Sequence, residues 1–504
     1  MKRWEIPLAA IGAILLAGSA WVIRRTELPH SDFVLTESGC HIPVTVIEPF
    51  SGKAQNSAVV FHGLTANRRI MQTLASYLAT HAGLRAYLID FPGHGDNTDS
   101  FSFPRVEQCA AAAVESLTRT GKIDPSRTVF VGHSMGGAVA LRLADREPVA
   151  ATIAISPAPT ELPRRMPSNL LVFSAQFDVG ILRRGAAALS QAASGERNAP
   201  DDFIQQRAFH VEHMPLSAHT TLIFDPRVLK QSSQWIRSAI RESPAPQGGS
   251  NVLGRLAAAD AGLAGLLLLM PMATSTAARI AGPDDSESAG AKPTTVLALA
   301  EGAACAVVTA LILKLGVPLK LLHLYAGDYL SSLLLIVGVF LLALNWKAAK
   351  EACSLRARTV FAAALLGFAT MLAFGGWLNW QLTDMWLNAP RWLRFFGVLP
   401  IAAIYCFAEE VVLGPVGRGR ERALRFAAFI GLRMELWLAC LLAYYTLASG
   451  QVLILILVAF FAAFSILQRL ATDALRLRTG SATAAALFGA ILAAWFIAGI
   501  FPLT

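Results

Sequence analysis

Short apolar runs separated by mixed polar and apolar stretches mark the first half of the chain. Ala58 to Phe61, Arg85 to Ile89, Thr128 to Val131, Ala150 to Ile155, Leu170 to Ser174 and Gln205 to Val211 read as strands. The stretches between them carry helical spacing. A last helix runs from about Pro226 to Ile240, with Trp235 and Ile236 on its apolar face. Strands alternating with helices predict an α/β fold: a doubly wound, mostly parallel sheet with helices on both faces.

The pattern changes at residues 244–255, which open Pro-Ala-Pro-Gln-Gly-Gly-Ser-Asn and read as a linker. Beyond it the apolar runs lengthen to the size of membrane spans. Eight candidates lie near 258–278, 295–315, 323–344, 359–378, 395–413, 431–449, 451–468 and 481–501. Trp377 to Trp392, with Trp380 and Trp386 between, reads as an interfacial segment, because indole rings favour the membrane boundary. Another uncharged run, Ile6 to Ile23, lies between Lys2-Arg3 and Arg24-Arg25. It suits a membrane anchor, and its continuation past Gly18-Ser19-Ala20 favours an anchor over a cleaved signal peptide. The expected organisation is therefore an anchor at 1–25, an α/β domain at 30–243, the linker at 244–255 and a transmembrane domain of about eight helices at 256–504.

Composition agrees with a membrane protein. Hydrophobic residues make up 54%, charged residues only 15%, and the mean hydropathy is +0.50. A net charge of +9 could suggest nucleic acid, but the arginines cluster in short segments between apolar runs, so nucleic-acid binding is excluded. The segments after the first, third, fifth and seventh of the eight spans carry most of the cations: Arg279 and Lys292; Lys347, Lys350, Arg356 and Arg358; Arg418, Arg420, Arg422, Arg425 and Arg433; Arg469, Arg476 and Arg478. The opposite segments carry Lys314, Lys320, Arg391 and Arg394. Positive segments stay cytoplasmic, which places the α/β domain outside the cytoplasm at the cell membrane. That placement requires 258–278, with Asp260 and Pro271, to cross; lying on the surface, it would put the domain on the cytoplasmic side. Of the six cysteines, only Cys40 and Cys109 fall in the α/β domain, and their pairing stays open at this stage.

The chemistry centres on Thr128 to Gly137, TVFVGHSMGG. An apolar strand enters Gly132-His133-Ser134-Met135-Gly136 and a helix-prone run leaves it. Small residues two before and two after the serine permit a sharp turn that lifts its hydroxyl clear of the sheet edge. This strand, turn and helix resemble the α/β-hydrolase family, and the resemblance covers roughly the first half of the chain. It implies a nucleophile, an acid and a histidine in that chain order. The matching positions are Ser134, Asp178 after the strand at 170–174, and His219 before the last helix. His213 and His210 compete with His219, and Asp201 and Asp202 with Asp178. The resemblance also implies an oxyanion hole from the N–H groups of Met135 and Leu64, the latter in His62-Gly63-Leu64, with His62 orienting that loop. Pro92-Gly93-His94-Gly95 resembles another family turn, with His94 at the floor of the site. Only about fourteen residues separate Ile155 from Leu170, too few for the cap domain that many members insert there.

In the second half, Glu409-Glu410 and Leu477 to Ser481 faintly resemble intramembrane proteases of the CAAX-processing and bacteriocin-processing type. The likeness is degenerate: Gly414 stands where that family has arginine, and no histidine follows His323. The plainer expectation is that the glutamates pair with Arg418, Arg420 or Arg433. The sequence thus points to a membrane-anchored serine hydrolase that cleaves acyl esters of lipid-like substrates through an acyl-enzyme, without cofactor or metal. The alternative is a transporter or partner-binding scaffold with an accessory hydrolase or acyltransferase domain.

Overall fold

The computed structural model describes residues 3–50, 54–159, 161–193, 195–240, 251–282, 295–316, 320–447 and 452–504. Its internal contacts divide it into two compact units. One comprises Gly18–Ala261, Trp377–Met385 and Pro502–Thr504; the other comprises Met1–Ala17, Gly262–Gly376 and Trp386–Phe501. Residues 377–385 and 502–504, expected within the membrane half, thus pack in the first unit.

Helix α1 (Glu5–Thr26) is followed by β1 (His30–Glu37), β2 (Cys40–Ile47), β3 (Asn56–Phe61), α2 (Gln72–Ala82), β4 (Leu84–Ile89), α3 (Phe103–Arg119), β5 (Thr128–His133), α4 (Met135–Arg146), β6 (Ala151–Ile155), β7 (Leu170–Ala175), α5 (Gly180–Ala192), α6 (Pro200–Ile204), β8 (Phe209–Met214) and α7 (Pro226–Ala239). The eight strands form one sheet in the order β1-β2-β4-β3-β5-β6-β7-β8. The pairs β1/β2 and β2/β4 are antiparallel and the remainder parallel. Strands β3, β5, β6 and β7 are buried along their whole length, as expected of parallel strands covered on both faces. One face carries α2 and α7, whose Leu74, Leu78, Val228 and Ile236 join the core.

Two features differ from expectation. The β1/β2 hairpin was not legible, because its polar and apolar residues do not alternate cleanly. Its first turn is tied to α3 by a Cys40–Cys109 disulfide, which closes the pairing left open by the sequence. The strand expected at Gln205 to Val211 lies instead at Phe209–Met214. Residues 205–208 form the turn that leaves α6, whose Asp202 accepts from the Ala199 N–H (3.0 Å) and from Arg207 Nε (2.9 Å). His213 therefore sits in a strand and not in the loop after it.

The remaining helices are α8 (Val252–Ala281), α9 (Thr295–Leu315), α10 (Gly327–Leu344), α11 (Trp346–Ala352), α12 (Ala357–Gln381), α13 (Ala389–Leu413), α14 (Arg420–Tyr445), α15 (Val452–Ile456), α16 (Val458–Thr479) and α17 (Ala482–Ile500). Among the described residues, nine helices are long and apolar enough to cross a membrane: α1, α8, α9, α10, α12, α13, α14, α16 and α17. Most of the expected linker falls outside the described residues, and its last residues, from Val252, are already the first turn of α8. The spans expected at 431–449 and 451–468 are displaced to α14 and α16. Arg420, Arg422, Arg425, Arg433, Arg469, Arg476 and Arg478 are therefore helical and not in loops, which accords with arginine's good helix propensity. Arg391 and Arg394 likewise lie in α13. Within the second unit α1 and α8 meet closely. A Cβ on Gly12 would lie 2.7 Å from the Gly265 carbonyl oxygen, and the buried Glu5 takes Arg478 Nη2 at 2.9 Å and Ser275 Oγ at 2.8 Å.

Candidate active site

The site begins with the backbone. Ser134 ends β5 and opens α4 at φ +54°, a conformation that costs an L-residue energy and is held only by its surroundings. Its N–H donates to Ile155 O (2.9 Å), and its carbonyl accepts from the N–H groups of Ala138 (3.1 Å) and Ala158 (2.9 Å). The flanking glycines are obligatory. A Cβ on Gly132 would strike the Gly136 carbonyl, and one on Gly136 would strike the carbonyl of Phe61 on the neighbouring strand.

Three side chains meet at this bend. Asp178 follows β7, and His219 lies in the segment between β8 and α7. His219 Nδ1–H donates to Asp178 Oδ1 (2.8 Å), which leaves Nε2 to accept from the Ser134 hydroxyl (2.9 Å). Asp178 and His219 are buried while Ser134 is partly exposed, so the line runs from interior to surface. Burial pushes the Asp178 carboxyl up, but the bonds from His219, from Ser156 and from the Ala175 N–H (3.0 Å) outweigh it and hold it below the usual carboxylate range. The rival residues are elsewhere. His210 contacts Glu212 (2.9 Å), His213 points outward from β8, and Asp202 caps α6.

Two residues of the cluster were not singled out by sequence. Ser156, just after β6 at φ +44°, donates its hydroxyl to Asp178 Oδ2 and lies 3.1 Å from His219 Nδ1. His133 is the variable residue before the serine. Its Nε2–H donates to the His219 carbonyl (2.9 Å), fixing the backbone of the imidazole's own residue. Complete burial, with the neighbouring His219, pushes the His133 pKa down to about 3, so the ring is neutral. Nothing in the spacing of either residue marks it, because one bonds a carboxylate and the other a backbone carbonyl that only the fold brings near.

Met135 directly follows the bend, and Leu64 lies in the loop after β3. Met135 is the first residue of α4, so its N–H has no acceptor within the helix. The Leu64 loop is adjacent: a Cβ on Gly63 would lie 3.1 Å from Ser134 Cβ and 3.0 Å from His133 Nδ1. His62 is fully buried. Its Nδ1–H donates to Gly63 O (2.7 Å) and its Nε2 accepts from the Phe91 N–H (3.0 Å), so both ring nitrogens hold backbone. Burial lowers its pKa. His94 packs against it at 5.0 Å between ring centres and donates to Pro92 O (2.8 Å). Such a constellation can take a proton from a hydroxyl, form a new bond at its oxygen and receive negative charge on backbone N–H groups.

The second cluster lies in the helical unit. Glu410 receives Arg425 Nη2 (2.8 Å), Arg469 Nη2 (2.5 Å) and Arg476 Nη1 (2.5 Å); Asp473 receives Arg425 and Arg469; Glu409 receives Arg433 at 3.0 Å. Of the partners expected, only Arg433 is used. Arg418 and Arg420 are exposed, whereas Arg469, Asp473 and Arg476 share one face of α16.

Residues 58–283 match the model of the alpha/beta hydrolase family. An uncharacterised protein of Mycobacterium tuberculosis (strain ATCC 25618 / H37Rv) is 30% identical over 152 residues, which is 30% of this chain and 50% of that protein. A pimeloyl-[acyl-carrier protein] methyl ester esterase of Pectobacterium atrosepticum is 27% identical over 158 residues, 30% of this chain and 58% of that one. An sn-1-specific diacylglycerol lipase of Xenopus laevis is 31% identical over 108 residues, 20% of this chain and 33% of that one. The chain thus spans about half the length of the first of these relatives, or somewhat more or less of the others. The N-terminal half of the chain carries an alpha/beta hydrolase family domain.

Proposed function

We propose that the sheet-bearing unit is a serine hydrolase that cleaves acyl esters, and that the protein holds it at a membrane. Ser134 attacks the ester carbonyl while His219 Nε2 takes its proton; Asp178 steadies the resulting imidazolium. The N–H groups of Leu64 and Met135 receive the oxyanion. His219 then returns the proton to the leaving alcohol, and a water activated by His219 releases the acid from the acyl-enzyme. The observation that carries this reading is the unbroken hydrogen-bonded line from Asp178 through His219 to a partly exposed Ser134 at a positive-φ bend.

Lipid-like esters are the substrates most in keeping with the nine long apolar helices among the described residues. The names of the esterase and lipase relatives point to ester bonds as well. One observation supports an extracytoplasmic site at the cell membrane. The Cys40–Cys109 disulfide belongs to an oxidising compartment.

The test is labelling of the full-length protein in membranes with a fluorophosphonate probe, alongside hydrolysis of p-nitrophenyl butyrate. Wild type should label and hydrolyse, and Ser134→Ala should do neither. Labelling that persists in Ser134→Ala would assign the nucleophile elsewhere.

A further inference from the structure

We infer that Asn67 is a positioning residue for the loop that carries the Leu64 N–H, and that Thr383 and Asp384 are the counterpart that makes it so. The inference rests on the esterase reading above. The loop from His62 to Asn67 is a strained turn. Thr65 sits at φ +63° and Ala66 N–H donates to Gly63 O (3.1 Å). Beyond it, the loop is gripped from two directions. On one side, Asp90 accepts from the Arg68 N–H (2.7 Å) and from the Arg68 guanidinium, which also reaches Asp96 (2.8 Å). On the other side stands the buried carboxamide of Asn67. Its Oδ1 accepts from the Arg69 N–H (3.1 Å) and from the Asp384 N–H (3.1 Å), and its Nδ2 donates to Thr383 Oγ1 (2.9 Å).

The bond to Arg69 is an ordinary helix cap that serine could make as well. The bonds to Thr383 and Asp384 are different. They need a side chain that donates and accepts in one plane, and they join residues more than three hundred positions apart. The neighbouring loop is held in the same way: Phe101 N–H donates to Leu503 O (2.7 Å) and Leu503 N–H to Gly93 O (3.0 Å). The two loops are thus each pinned by a segment from much later in the chain, one after α12 and one after α17. Oxyanion donors act by being in place before charge develops, so freedom in this loop lowers turnover more than substrate binding.

The experiment uses full-length protein and p-nitrophenyl butyrate. Asn67→Ser keeps the cap and loses the long-range bonds; Thr383→Val removes the acceptor; Thr383→Ser restores it. Misplaced catalytic groups cost up to about a hundredfold. On that scale Asn67→Ser should lower kcat about tenfold and Thr383→Val about threefold, with KM within about twofold and Thr383→Ser near wild type. Binding of a trifluoromethyl ketone that mimics the tetrahedral intermediate should weaken in step with kcat. A merely structural role would lower the melting temperature and the active fraction but leave that inhibitor's affinity unchanged. If Asn67→Ser and Thr383→Val keep kcat within about twofold while Ser134→Ala is inert, the positioning role is overturned and the esterase reading stands. If wild type neither labels nor turns over, both fall.

Discussion

Two buried carboxylates in this molecule, Asp178 and Glu410, are each well supplied with donors, yet they lead to different kinds of group. Asp178 holds an imidazole, and the imidazole holds a hydroxyl that is partly exposed. Glu410 holds three guanidinium groups, which reach on to Asp473 and to the backbone carbonyls of Gly414 and Glu410. The difference is one of proton mobility. Imidazole changes protonation near neutral pH, and a guanidinium does not. A cluster closed by arginines can fix helices to one another, but it cannot pass a proton. Saturation with hydrogen bonds is therefore no guide to function; what matters is whether the line contains a group that titrates and ends at a surface.

The largest effect expected from this contrast is on turnover. Asp178→Asn keeps the shape of the site but favours the wrong imidazole tautomer, so kcat for p-nitrophenyl butyrate should fall about 10⁴-fold. A melting temperature close to wild type would show that the loss is chemical. A fall of less than about tenfold would move the acid's role to another residue.

The matching change in the other cluster should do the reverse. Glu410→Gln removes the charge that three arginines share, and breaking a buried ion cluster on one side costs about 3 kcal/mol or more. Thermal unfolding in detergent should occur several degrees lower, while kcat per labelled active site stays within about threefold. Loss of turnover with an unchanged melting temperature would instead give the helical cluster a part in catalysis.

The two clusters also differed in legibility. Ser134, Asp178 and His219 could be picked out because a nucleophile turn needs glycines at fixed spacing, and chain order then names its partners. The hydrogen bonds that join them became visible only in three dimensions. Ser156, His133 and Asn67 left no such trace, since each acts through a backbone carbonyl, a carboxylate or a residue hundreds of positions away. The sheet was legible where strands are apolar along their length, as at β3 and β5, and not at β1 and β2. Arg469 and Arg476 were misread as loop residues because a charge in an apolar window looks like an end. In α16 they face Glu410 and lie inside the helix.

The smallest expected effect sharpens the contrast through pH. His133 is buried neutral, with its pKa pushed down to about 3 from an ordinary value near 6.5. Above pH 6.5 the ring is neutral in both folded and unfolded chains and contributes nothing to the pH dependence. Below that, the unfolded chain takes up a proton that the folded one refuses, so stability declines as pH falls toward 3. The slope from one such group is on the order of 1 kcal/mol per pH unit. Asp178 adds to this only in more acidic solution: its carboxyl is held below the ordinary 3.8, so its stabilisation is complete above that value and is lost as pH falls through the lower, folded one. Between pH 6.5 and 5, above the ordinary carboxylate values, His62 contributes in the same direction. His133→Asn keeps a donor for the His219 carbonyl but cannot titrate. Urea unfolding followed by active-site labelling at pH 7 and pH 5 should show a smaller loss in His133→Asn than in wild type, by about 2 kcal/mol. Equal losses in the two proteins would mean that His133 can take up its proton without unfolding. The ring behind Ser134 would then be no fixed neutral donor, and its hold on the His219 carbonyl would itself depend on pH.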